Sequence, residues 1–284
     1  MQGIPKFPLA EYIDRGLDFI TTHLSFITKA ISRITEAGID GMVATLQFIP
    51  PWVLILLIAA LAWRVAGRRV ALWSIAGLLL LWNLQLWLPT MQTLTLVTVA
   101  TFIAILIGIP LGIMAAMSDR VYRIIMPILD FMQTMPAFVY LIPAIPFFGL
   151  GPVSGIFATV IFSMPPAIRL TTLGIRQVPE ELIEAADAFG STPRQKLLKV
   201  QLPLATPTIM AGINQTIMLA LSMVVIAAMI GAGGLGAEVW KAIQRLEPGA
   251  GFEAGIAVVI LAMILDRITQ NIGQRRKAVS KKEA

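Results

Sequence analysis

Apolar side chains recur at alternating steps of four and three residues along Ile13, Leu17, Ile20, Leu24, Ile27, Ile31 and Ile34, the pattern of a helix with one apolar face. The other face carries Asp14, Arg15, Asp18, Thr21, Lys29, Arg33 and Glu36. A charged side chain costs about 2.5–3.5 kcal/mol at the centre of a spanning helix, so this segment does not cross hydrocarbon. Residues 1–47 are expected to form an amphipathic helix at the membrane interface. The same spacing also suits packing on the outside of a bundle, on a partner protomer or in a short coiled coil. His23 reads as an ordinary member of this helix.

After residue 47 the polar positions thin out. Apolar runs predict seven membrane spans, at 51–65, 70–88, 91–117, 122–148, 151–170, 206–230 and 252–265. The first is short for a span of about 20 residues unless 41–50 supplies its start. Trp52, Trp63, Trp73, Trp82 and Trp87 fall toward the ends of the first two runs, as an interfacial aromatic belt requires. The expected fold class is an all-α polytopic helical bundle. Its parts are an N-terminal helix at 1–47, two peripheral spans at 48–90, a core at 91–270 holding a polar island, and a basic tail at 271–284.

Composition narrows the class further. With 57% apolar residues, 13% charged residues and a mean hydropathy of +0.82, the chain is a membrane protein rather than a soluble domain. No cysteine is present, which excludes a disulfide framework, and a lone histidine excludes a His-based metal or catalytic cluster within the chain. Residues 1–10 contain two prolines and no apolar core of a cleavable signal, so insertion is expected to rely on the internal spans. The net charge of +6 matters through its placement. Arg64, Arg68, Arg69, Arg120, Arg123, the stretch from Arg169 to Lys199, and Arg267, Arg275, Arg276, Lys277, Lys281 and Lys282 all fall on one side of the predicted spans. The other side has no base between the spans until Lys241 and Arg245. The positive-inside rule makes the first side cytoplasmic, with the C-terminus inside and the N-terminal helix outside.

The fourth run, MPILDFMQTMPAFVYLIPAIPFFGLG, holds Pro127, Pro136, Pro143 and Pro146, and no uniform helix passes through these. Breaks inside a membrane are tolerated where protein or a water-filled cavity satisfies the freed backbone, which points to a segment lining a translocation route. Asp130 is the clear acid within a run. Either it pairs with Arg123 about 10 Å along the helix or it serves the route. Gln133, Thr134, Pro136 and Phe138 are further route candidates, as are Asn214 and Ser222 on the sixth run. Gly231, Gly233, Gly234 and Gly236 in GAGGLG resemble a phosphate-cradling loop only superficially, since no preceding strand and no following Lys-Ser or Lys-Thr is present. They are expected to break the sixth span, turn it toward a short polar helix at 237–245, and form part of an outer gate or docking surface.

The polar island is VPEELIEAADAFGSTPRQKLLKVQLP, at 178–203. Pro179 suits a first helical position, Glu180 and Glu181 suit the positive end of the helix dipole, and Gly190 suits the stop. Leu182, Ala186 and Phe189 share one face. Thr192, Pro193 and Gln195 make a capping box for a second short helix bearing Arg194, Lys196 and Lys199. The first helix is acidic and the second basic, so they attract across the corner.

Glu184-Ala185-Ala186, Gly190 after three residues, Val200 after nine more, and then Leu202-Pro203 resemble the EAA loop of ABC importer permeases, with valine in place of isoleucine at 200. The resemblance implies that Glu184, Ala185, Ala186, Gly190, Leu202 and Pro203 form a cytoplasmic coupling segment docked on a separate ATPase. The fourth run and NQTIMLALSMVVIAAMIGAGGLG at 214–236 resemble the glycine betaine and proline betaine branch, over roughly residues 93–267. That implies a type I importer fold, a homodimer, two ATPase subunits that hold ATP and Mg and often carry CBS domains, an extracytoplasmic substrate-binding protein, and a role in osmoprotection. It also implies a multi-pass protein of a bacterial or archaeal cell membrane that binds no nucleic acid, no metal and no cofactor of its own. Choline, carnitine, amino acids and other amines remain alternative solutes. An aromatic cage for a quaternary ammonium drawn from Phe131, Phe138, Tyr140, Phe147 and Phe148 competes with ordinary packing of those rings. An ion-coupled secondary transporter is the rival mechanism, and it needs intramembrane acids or an inverted repeat that the sequence does not display.

Overall fold

The computed structural model describes residues 8–283, and the side chains of 8–272; Met1–Phe7 and the side chains of Arg275, Arg276, Lys277, Lys281 and Lys282 lie outside the described residues. Every regular element is helical: α1 Leu9–Phe48, α2 Pro51–Ala66, α3 Arg68–Asn83, α4 Trp87–Met117, α5 Asp119–Thr134, α6 Leu141–Phe148, α7 Pro152–Arg176, α8 Glu180–Ala188, α9 Pro193–Lys196, α10 Leu202–Ala227, α11 Gly234–Arg245 and α12 Pro248–Glu283. The expected all-α bundle is present, but its span count is lower than seven. Among the described residues four helices are long and apolar enough to cross a membrane, and six crossings result if each of two bent pairs counts as one.

Two of the expected spans, 51–65 and 70–88, form as the short helices α2 and α3. The helices α2 and α3 have 16 residues each, about 24 Å, which falls short of the roughly 30 Å hydrocarbon core. Polar Asn83 and Gln85, the latter at φ 59°, end α3 before residue 88, and α4 starts at Trp87 instead of Met91. The stretch 122–148 is broken at its prolines, as expected. Its first half, α5, is amphipathic, and the chain bends by 113° between it and the following Ala137–Phe148 segment. Pro136 adopts φ −58° and ψ 139°, outside the helical region, and Met135 before it is extended, as a residue preceding proline prefers. The hydroxyl of Tyr140 donates to the carbonyl of Met132 across this bend.

The core is a three-helix sandwich in which α7 lies between α4 and α10. Small residues let these backbones approach closely. A Cβ on Gly108 would sit 2.9 Å from Cβ of Ala167, and one on Gly112 would sit 2.7 Å from Cβ of Thr171. On the other flank, a Cβ on Gly174 would sit 2.9 Å from Cβ of Thr208. Gly108 and Gly112 are spaced as a GxxxG pair, the spacing at which membrane helices pack backbone to backbone. Thr172 on α7 also donates to the carbonyl of Gly112 at 3.0 Å.

The helix α1 meets α2 at 100°, so it lies close to the membrane plane if α2 runs along the normal. Its C-terminal half packs on α4 and α6 with Ile39 buried, while Ile13, Ile20, Leu24, Ile27, Ile31 and Ile34 stay exposed by the protein. An uncovered apolar stripe beside charged residues is what an interfacial helix presents to lipid.

Candidate functional site

The polar island folds as a corner followed by an unbroken rod. Pro179 sits one position earlier than expected, at the N-cap with φ −52° and ψ 134°, and Glu180 opens α8. At the other end Gly190 is left-handed, with φ +73°. The Gly190 N–H donates to the Asp187 carbonyl at 2.9 Å and the Ser191 N–H donates to the Ala186 carbonyl at 3.0 Å, the two bonds of a Schellman stop. Thr192 then caps the next helix. Its hydroxyl accepts from the Gln195 N–H at 3.3 Å, and its own N–H donates to Gln195 Oε1 at 2.9 Å. Lys196 Nζ reaches both carboxylate oxygens of Asp187, at 2.8 and 2.7 Å, so the expected attraction between acidic and basic helices is met by one bidentate pair.

The second helix is not a separate short element, and Pro203 makes no corner. From Pro193 the helix runs on to Ile230 as one 38-residue rod that includes α9 and α10. Residues Leu197–Gln201 widen to a π turn, in which the Leu202 N–H donates to the Leu197 carbonyl. Pro203 has no N–H to give and its ring crowds the carbonyl four residues back, and the wider turn accommodates both. Glu184 and Ala185 are exposed and Ala186 is buried, whereas Leu182 and Phe189, expected on the same face as Ala186, are exposed at 44% and 90%. The principal contacts of α8 within the chain are with the start of its own rod, which leaves the rest of its surface open.

At the same end of the bundle, Asp130 pairs with Arg169 of α7 at 2.6 Å. The sequence suggested Arg123 as its partner, but Arg123 donates instead to the Asp119 carbonyl at 3.4 Å, one turn back on its own helix. Arg176 reaches Asp119 at 2.7 Å and the Ala115 carbonyl at 3.0 Å, with its guanidinium 4.2 Å from the centre of the Tyr122 ring. These contacts tie α5 to α7 where the basic residues gather. The Asp130 carboxylate is 65% exposed, and pairs this open are worth at most about 1 kcal/mol. Asp130→Asn is therefore expected to leave thermal stability nearly unchanged, so a loss of transport in that variant reports on the route and not on folding.

The remaining route candidates fall in different settings. Thr134 donates to the Phe131 carbonyl at 2.8 Å, Pro136 forms the bend, and Phe138 is exposed at 59%. Gln133 is exposed on α5, and the exposed Ser222 turns its hydroxyl back to the Met218 carbonyl. Asn214 is engaged at both ends of its amide. It donates to Asp266 at 3.1 Å and accepts from Thr269 at 2.6 Å, and Gln270 also donates to Asp266, at 2.6 Å. This network fastens α10 to α12, and sequence reading missed Asp266 because it lies just past the expected end of the last span. Of the five rings considered for a cage, Phe147 and Phe148 lie 6.3 Å apart. Tyr140 packs edge-on to Phe162 at 5.6 Å, Phe148 meets Phe157 at 4.8 Å, and Phe131 is exposed at 67%.

The glycine run ends the rod and starts α11, as expected, and it is held against the start of α4. The Gly234 N–H donates to Gln92 Oε1 at 3.0 Å and the Leu235 N–H donates to Thr93 Oγ1 at 2.8 Å. Those two N–H groups are in the first turn of α11, where no helix carbonyl can take them. Gly231, Gly233 and Gly234 have φ of 86°, 83° and 73°, and a Cβ on Gly236 would sit 2.7 Å from the Val225 backbone. Thr93→Val keeps the volume and removes the acceptor for a buried N–H, at a cost of about 1–3 kcal/mol. Faster amide exchange confined to residues 234–245 is the expected result, measured by hydrogen–deuterium exchange.

Residues 108–278 match the family described as "Binding-protein-dependent transport system inner membrane component". The chain is 55% identical over 98% of its length to the glycine betaine transport system permease protein OpuAB of Bacillus subtilis (strain 168), covering 99% of that protein. It is 54% identical over 98% of its length to the glycine betaine/carnitine transport permease protein GbuB of Listeria monocytogenes serotype 1/2a (strain 10403S), covering all of it. To the glycine betaine/proline betaine permease ProW of Escherichia coli (strain K12) it is 48% identical over 94% of this chain and 75% of that one. An inward-facing MetNI methionine ABC transporter structure shares the fold, with a TM-score of 0.61 over 65% of this chain and 93% of that one at 24% identity. A bundle of crossing helices with a polar EAA helix projecting from its basic end thus belongs, by sequence and by fold, to the inner-membrane permease components of binding-protein-dependent transport systems.

Proposed function

We propose that this chain forms, as a homodimer, the translocation route of an ATP-driven importer for a quaternary-ammonium compatible solute of the glycine betaine kind. Two ATPase subunits dock on the surface of α8 around Glu184, Ala185, Ala186 and Gly190, with Leu202 and Pro203 carrying the motion into the rod. ATP and Mg are held by those subunits, and an extracytoplasmic binding protein delivers the solute. The observation that carries this reading is mechanical: an exposed α8 is tied by a glycine stop, a capping box and the Asp187–Lys196 pair to a rod that continues into the core. A push on α8 is therefore transmitted along α10, which packs on α7. The basic end of the bundle faces the cytoplasm by the positive-inside rule.

Within this reading residues 91–270 act as the permease core and 48–90 as peripheral helices. Asp130, Gln133, Thr134, Pro136, Phe138 and Ser222 border the route, Asn214 positions α10, and the loop at Gly231, Gly233, Gly234 and Gly236 serves the outer gate. The relatives named for glycine betaine support the solute class. The test is uptake of labelled glycine betaine into proteoliposomes holding the chain with its ATPase and binding protein. ATP-dependent uptake that survives collapse of ion gradients and is competed by proline betaine is the expected result. Uptake driven by an ion gradient in the absence of the ATPase would refute the mechanism.

A further inference from the structure

Away from the route and from α8, the helices α3 and α12 leave a groove on the outer flank of the bundle. Gly77 makes their close crossing: a Cβ there would sit 2.6 Å from Cγ2 of Ile260. Beside that crossing lies a cavity of about 420 Å³, with Trp73, Gly77, Leu80, Ile260, Met263 and Arg267 in its wall. The wall is apolar except at one end. Ser74, also in the wall, spends its hydroxyl on the Val70 carbonyl at 2.9 Å, so Arg267 is the polar group left to act on a ligand.

The level of that arginine follows from the helix register. Arg267 lies seven residues, about 10 Å, beyond Ile260 on α12, and Val70 lies seven residues before Gly77 on α3. Val70 and Arg267 share the same cavity wall, so the helices run antiparallel and the first turn of α3, with Arg68 and Arg69, lies at the level of Arg267. All three arginines are exposed, and none takes part in an ion pair among the described residues. They belong to the basic end of the bundle, where the bilayer changes from acyl chains to headgroups.

We propose that this groove is a bound-lipid site that takes an acyl chain of one anionic phospholipid and holds its phosphate with Arg267, assisted by Arg68 and Arg69. The volume lies within the roughly 300–1,000 Å³ of ligand-sized pockets. Trp73 and Met263, exposed at 77% and 55%, offer an apolar wall that an acyl chain would cover. Three cations with no ion pair among the described residues select a headgroup of net negative charge over a zwitterionic one, whose own cation repels them.

The test uses the full chain in its assembled transporter, in nanodiscs of equal phosphatidylglycerol and phosphatidylcholine, with lipid retained after detergent release read by native mass spectrometry. One phosphatidylglycerol per chain, in at least about fivefold preference over phosphatidylcholine, is expected. The preference should vanish in the R68Q/R69Q/R267Q variant, while Leu80→Trp, which fills the slot and keeps the charges, should lower retention of both lipids. Equal retention by the unaltered protein, or an unchanged preference in the glutamine variant, overturns the site. Since the chain has no cysteine, Trp73→Cys supplies a single thiol in it. Efficient disulfide formation between two such chains in the membrane would mean that a second copy covers the groove, which also overturns the proposal.

Discussion

Gly190→Val is expected to cut ATP-driven uptake by about 5–30-fold while the chain still inserts and dimerises. The argument rests on conformation and not on crowding, because a Cβ at Gly190 meets nothing within 4 Å. The cost comes from φ +73°, a left-handed geometry that burdens an L side chain by about 1–2 kcal/mol and a β-branched one by more. A shift of 1–2 kcal/mol changes a two-state ratio by about 5–30-fold, which sets the size of the effect if docking needs the corner as built. Relaxing that strain opens the Schellman stop and swings α8 away from the rod, loosening the Asp187–Lys196 pair. Gly190→Asn, which tolerates the left-handed region, should retain most of the uptake, whereas Gly190→Asp adds a carboxylate beside Asp187 and should uncouple ATPase stimulation from transport. The check is the ratio of ATP hydrolysed to solute imported in proteoliposomes. An unchanged ratio in the valine variant would mean that α8 is not the handle.

That corner was legible in the sequence because its chemistry is local. Glycine at a helix stop and Thr-Pro-Arg-Gln at a helix start each act within a few residues, and the structure keeps both sets of bonds. What could not be read was pairing over distance. Asp130 chose Arg169, 39 residues away, over Arg123 on its own helix, because the bend at Pro136 lays α5 against α7. The glycine run found its partners in Gln92 and Thr93, 142 residues earlier, and nothing in GAGGLG itself names them. Hydropathy overcounted the spans for a different reason: it measures apolarity and not length or direction. Asp119, Arg120, Arg123, Asp130 and Gln133 on one 16-residue stretch were a readable sign that α5 is amphipathic, outweighed by the apolar run that follows it. The Gly108–Gly112 pair was also readable, as a GxxxG spacing within an apolar segment, and it marks a close approach of α4 and α7 in the core.

Gly112→Leu should therefore lower stability strongly. A Cβ at this position would lie 2.7 Å from Cβ of Thr171 and 2.8 Å from the Ile168 carbonyl, so the contact is with backbone and with a branched stem that cannot rotate away. Relief requires α4 and α7 to separate, which breaks the Thr172 bond to the Gly112 carbonyl and opens the sandwich that α10 closes from the far side. Overpacking of this kind costs about 1–3 kcal/mol where the core can adjust, and here Gly174 and Gly212 on the opposite flank leave α7 little room to move. A clear fall in the thermal midpoint and a loss of monodisperse protein after detergent extraction are the expected measurements, with Gly112→Ala giving a smaller drop of the same sign. Glycines in α1 provide the contrast. Gly16 and Gly38 have open space where a Cβ would go, and alanine there replaces a poor helix former with the best one. Those two variants should be neutral or stabilising by about 0.5–1 kcal/mol each. If Gly112→Leu proved as harmless as they are, the close approach of α4 and α7 would not be the contact that holds the core together.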